Sequence, residues 1–133
     1  MATEITHKIL TGYVTPGSSC FGEIPIVADT EVNVGPIDLT PNTTTTVDFV
    51  ATTAKLQSMA LLADVACSVT GWNGDSQGST FTLAANIPFV YWVNGPVANP
   101  FGADVTKITI TPAGQVAGTF LLKSAQNLVE VAS

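Results

Sequence analysis

"KLQSMALLADVACSVTGW", residues 55–72, is the one stretch of the sequence that could be helix or strand. Its Leu, Met and Ala content permits a helix over residues 55–62. Its second half obeys a different rule: Val65, Cys67 and Val69 alternate with Ala66, Ser68 and Thr70, the period of two that a strand imposes. We read the whole stretch as extended chain with a bend or bulge near Asp64. With that choice made, no helix remains anywhere in the sequence.

The flanking segments repeat the same grammar. Upstream, "EITHKILTGYV" (4–14) reads as a first strand with Ile5, His7 and Ile9 on one face. "TPGSSCFGEIP" (15–25) reads as a loop, "IVADTEVNVGPIDLTP" (26–41) as one or two strands interrupted at Gly35-Pro36, and "TTTTVDFVA" (43–51) as a strand. Downstream, "NGDSQG" (73–78) is a turn. "STFTLAA" and "PFVYWV" then read as strands paired across residues 86–88. A loop, "NGPVANPFGA" (94–103), leads into "DVTKITIT" and "TFLLKS", which read as a hairpin around "PAGQVAG", and "NLVEVA" (127–132) as a terminal edge strand. Glycine and proline punctuate short runs rich in threonine and valine, the pattern of an all-β domain. The expectation is one antiparallel β-sandwich over residues 1–133, jelly-roll-like or Ig-like, of roughly eight to ten short strands. Residues 1–15 would serve as an arm or edge strand for assembly.

Composition narrows the function. Ten acidic residues face four lysines and no arginine, a net charge of −6, so phosphate-backbone binding lacks its cations and neither nucleic acid nor an anionic membrane is an expected partner. Charged residues make up only 11% of the chain, so the surface must be finished largely with threonine, serine and asparagine. The N-terminus shows no basic segment followed by an apolar run, so synthesis without export is expected, with Cys20 and Cys67 as free thiols.

Candidate chemistry is sparse. Asp64 and Asp104 both sit in the tripeptide Ala-Asp-Val and invite comparison with a carboxylate pair, but neither has arginine, histidine or clustered aromatics beside it. They read as structural carboxylates accepting backbone N–H groups at strand entries. One histidine and two distant cysteines make no zinc set, Asp75 in its turn makes no calcium loop, and His7 has no nucleophile spaced for it. No catalytic residue, metal or cofactor is assigned, and no enzymatic activity is expected. "NTT" at 42–44 matches a glycosylation pattern but reads as a polar turn. Trp72, Tyr91 and Trp92 leave open a carbohydrate-binding module, in which aromatic rings act as stacking platforms.

Residues 52–111 carry a resemblance. "TTAKLQSMALLADVACSVTGWNG", then "STFTLAANIPFVYWVNGPVANPFGADVTKITIT", resembles small β-rich virion proteins encoded among the structural genes of tailed bacteriophages. The likeness lies in a Leu-x-Ser strand with its aspartate, a "TL" segment leading to "PFVYW", an "NPF" loop and a "DVT" strand, in that order. It implies a decoration or cement protein, synthesised in the host cytoplasm, that binds major capsid protein subunits on the head surface as a homo-oligomer, a trimer by preference. A tail or head–neck component is the alternative virion role. Contact candidates are Ile5, His7 and Ile9 of the N-terminal strand, and Trp92, Pro96, Asn99, Pro100 and Phe101 in and beside the 94–103 loop, since long Pro/Gly loops at sandwich ends commonly bind.

Overall fold

The structure, a computed structural model, describes residues 4–128, with the side chains of 11–15 and 18–21 outside that description. Ten strands and no helix make up the described chain: β1 Ile5–Thr15, β2 Ser18–Ala28, β3 Thr30–Leu39, β4 Thr45–Ala51, β5 Leu56–Ala63, β6 Cys67–Asn73, β7 Ser76–Leu83, β8 Phe89–Trp92, β9 Val105–Pro112 and β10 Gly118–Gln126. Two four-stranded sheets, ordered β3-β10-β5-β8 and β4-β9-β6-β7, form the sandwich, and β1 and β2 form a separate ribbon. All neighbours are antiparallel. From β3 onward every connection changes sheet except the β6–β7 hairpin at Gly74-Asp75, and that alternation is jelly-roll connectivity. Strand order therefore selects between the two sandwiches that the sequence allows.

Period-two patterning builds the core between the sheets. Met59 and Leu61 of β5, Phe120 and Leu122 of β10, Cys67 and Val69 of β6, and Ile108 and Ile110 of β9 are all buried. An aromatic chain crosses the core near one end: the Phe101 ring lies 6.2 Å from Phe49 and 5.4 Å from Phe81, which lies 5.4 Å from Phe89. One polar element shares this interior. Gln126 is fully buried and donates from Nε2 to the Val50 carbonyl and to Ser124 Oγ, tying β10 to β4.

Several sequence expectations change. Residues 15–25 are not a loop: the chain reverses within Pro16-Gly17, and β2 starts at Ser18. Gly17 has φ of 92°, the left-handed value that the third residue of a type II turn requires after proline. Gly35-Pro36 does not end β3; it forms a bulge, with Ile37 opposite Phe120 and Val34 opposite Leu122. Gly35 also has φ of 90°, and a Cβ there would lie 2.5 Å from the Phe120 carbonyl oxygen. The bend near Asp64 separates two strands in different sheets. The two proposed hairpins dissolve as well. β7 pairs with β6 while β8 pairs with β5, and β9 and β10 lie in opposite sheets. Residues 127 and 128 are not in a strand, and the remainder of the proposed edge strand lies outside the described residues.

The β1–β2 ribbon lies on the outer face of the β3-β10-β5-β8 sheet. Ile9, Ile26 and Ala28 bury against Ala125 there, with Ile5, Ile24, Val90 and Trp92 packed around them. Each fully buried isoleucine contributes about 1.5–3 kcal/mol. The other face of the ribbon is open to solvent: Leu10, which alternates with the buried Ile9, is 57% exposed.

Candidate functional site

Strand register arranges the outer face of that sheet in rows. One row runs Glu31–Ala125–Ser58–Trp92, the next Asn33–Lys123–Ala60–Val90. The ribbon closes over the middle of the first row, where Ala125 and Ser58 are buried. Beside it a groove of about 410 Å³ opens, bounded by His7 and Ile9 of β1 and by Ala60, Val90, Lys123 and Glu31 of the sheet.

The charges of this groove are unusual for so acidic a chain. Lys8, His7 and Lys123, three of its five basic side chains, line it against one carboxylate, Glu31. Asn33 Nδ2 donates to Glu31 Oε1 at 2.7 Å, and His7 Nε2 stands 3.6 Å from Oε2. The Asn33 hydrogen bond, helped by His7 and by nearby Lys123, holds the Glu31 carboxyl below its ordinary value of 4.5, although burial pushes the other way. Lys8 lies 3.9 Å from Glu23 on the exposed face of the ribbon. Lys123 has no carboxylate within ion-pair distance among the described residues.

Asp64 and Asp104 are not brought to a common centre; each holds a different loop. Asp64 Oδ1 accepts the Thr119 N–H at 2.7 Å and Oδ2 accepts the Thr119 hydroxyl at 3.3 Å. Asp104 Oδ1 accepts the Thr53 N–H at 2.9 Å and its hydroxyl at 3.2 Å. The device is the same twice: an aspartate before a valine clamps a threonine that opens or precedes another strand. Gly118 lets the first clamp close, because a Cβ there would fall 2.5 Å from Asp64 Oδ1. Among the described residues no group of three His, Cys, Asp or Glu side chains could hold a metal ion, and no helix is long and apolar enough to cross a membrane.

The contact candidates divide. Ile5, His7 and Ile9 turn their side chains toward the chain's own sheet. Phe101 is 2% exposed and belongs to the core, which corrects its place among the contacts; the apolar space between Phe49 and Phe81 outweighs its position in a Pro/Gly loop. Asn99 Oδ1 accepts the Phe101 N–H at 3.0 Å, so it shapes the loop. Trp92 is half-buried beneath the ribbon and presses on Gly95. Pro96 is exposed and Pro100 half-buried. The Trp72 indole N–H donates to Thr109 Oγ1, and the Lys107 ammonium stands 5.5 Å over its ring, so that face is already occupied. Cys67 is a buried free thiol, and burial raises its pKa. Sequence reasoning missed the His7–Glu31–Lys123 cluster, because its members are brought together only by ribbon docking and strand register. Comparison with known proteins finds no matching family model and no matching curated protein.

Proposed function

We propose that the chain is a structural virion protein of a tailed bacteriophage, binding the outside of the head as an oligomer, a trimer by preference, and stabilising contacts between major capsid subunits. The observation that carries this reading is the β1–β2 ribbon, whose register is continuous through eleven pairs and which belongs to neither sheet of the sandwich. At about 3.4 Å per residue such a ribbon is roughly 35 Å long, enough to reach from one subunit onto a neighbour. The resemblance of residues 52–111 supplies the virion context. The jelly-roll body adds a scaffold with few charges to desolvate on contact, and modest contacts repeated around a shell accumulate into firm attachment. Cryo-electron microscopy of particles produced by the encoding genome tests it. Density for this sandwich on the head exterior is expected, and its absence from purified heads overturns the reading.

A further inference from the structure

Strand edges distinguish one surface from all others. An edge strand exposes unpaired N–H and C=O groups and invites a further strand unless bulges, proline or shortness spoil it. The sandwich edges are spoiled in this way. β3 carries Pro36 and an extra residue opposite β10, β4 carries an extra residue opposite β9, β7 one opposite β6, and β8 is four residues long. The outer edge of β2 carries Pro25. Among the described residues β1 pairs with β2 alone, has no proline before Pro16, and keeps an unbroken register from Ile5 to Thr15.

Register also says which groups β1 presents. Lys8 stands opposite Pro25, which has no N–H, so that pair is one of the non-hydrogen-bonded pairs of the ladder. By alternation Thr6, Lys8 and Leu10 turn their backbone groups to the free edge, while Ile5, His7 and Ile9 bond to β2. This edge borders the groove that holds His7 and the exposed Lys123 ammonium.

We propose that the free edge of β1 accepts an extended acidic segment of another protein as an added strand, its sheet-facing carboxylates turned to His7 and Lys123 in the groove. Main-chain hydrogen bonds from Thr6, Lys8 and Leu10 supply affinity, and the basic groove supplies the sign of the charge. Charge selects the occupant. Two copies of this edge pairing antiparallel about Lys8 would set the two Lys8 ammoniums side by side, a like-charge juxtaposition that opposes self-association in that register. The inference deepens the assembly reading above, for which it names the docking surface and the chemistry of the partner.

The test uses the full ¹⁵N-labelled chain and two synthetic probes, acetyl-Thr-Val-Glu-Val-Glu-Val-Thr-amide and its counterpart with lysine in place of glutamate. The acidic probe is expected to shift the amides of Thr6, Lys8 and Leu10, and to bind at least about two- to fivefold more tightly than the basic one. Lys123→Glu should narrow or reverse that preference. Thr6→Pro, which removes an outward N–H and leaves the ladder to β2, should abolish the β1 shifts. Because Lys123 is exposed, its variant keeps the test decisive if Thr6→Pro disturbs the ribbon. Equal binding of both probes, or no β1 shifts at millimolar concentration, overturns the proposal. So does concentration-dependent broadening of β1 signals without peptide, which would assign the edge to a second copy. A chain that coats heads yet ignores the probe loses only this inference; one that binds the probe yet is absent from heads loses only the virion reading.

Discussion

Truncating Phe101 to alanine separates a core role from a contact role for the 94–103 loop. The ring is 2% exposed, lies 6.2 Å from Phe49 and 5.4 Å from Phe81 in an edge-on arrangement, and abuts Gly71. Removing a buried phenyl group costs about 3–5 kcal/mol, more where the walls cannot collapse. Here the walls belong to two sheets, and Gly71 has no side chain to move into the space, so the upper half of that range is expected. With a denaturant slope of about 2 kcal/mol/M, the urea midpoint should fall by roughly 2 M. Far-UV circular dichroism during urea titration measures it, with exposed Pro96→Ala as comparator, expected to change stability by less than about 0.5 kcal/mol. A double-mutant cycle with Phe81→Ala should recover about 0.5–1.5 kcal/mol of ring–ring coupling. A Phe101→Ala loss below about 1 kcal/mol would refute the packing argument and return the ring to the contact surface.

Asp64→Ala and Asp104→Ala should each cost about 0.5–2 kcal/mol, as lost capping carboxylates do. Urea titration of the pair should show the two losses adding, since the clamps share no partner; strong non-additivity would show that they act as one site. The depressed Glu31 pKa predicts a pH dependence of definite sign. Its stabilisation is present above 4.5 and is lost as pH falls through the lower folded-state value, so carboxyl-detected NMR should show Glu31 titrating below 4.5. Asn33→Ala, which removes the largest cause, should move that titration upward; an unchanged curve would contradict the assignment. Burial of Cys67 predicts that iodoacetamide at pH 8 leaves it unmodified in native protein and alkylates it in urea, as peptide mass spectrometry would read; native labelling would mean that β6 opens readily.

How far the chain could be read depended on whether local pattern or spatial neighbourhood decided the feature. Val69 and Cys67 against Thr70, and Phe49 against Asp48, displayed their buried and exposed faces in the sequence, because side chains of a strand alternate whatever it pairs with. The two aspartates announced hydrogen-bonding work by their positions before strands, but not their partners, Thr119 and Thr53, which lie 55 and 51 residues away. Partnership was different. Residues 113–117 serve a crossover between sheets, although the same length suits a hairpin, since five extended residues span roughly 17 Å and the sheets stand about 10 Å apart. β2 hid behind turn-forming residues because only two of them turn.

An all-β chain, its strand faces and its acidic balance were legible along the chain, because they are properties of residues and their near neighbours. The jelly-roll order, the burial of Phe101, the threonines that the two aspartates clamp and the meeting of His7, Glu31 and Lys123 came only with the folded arrangement. Those depend on which strand lies beside which, and the free energy that settles this comes from burying both inner faces together across positions far apart in the chain.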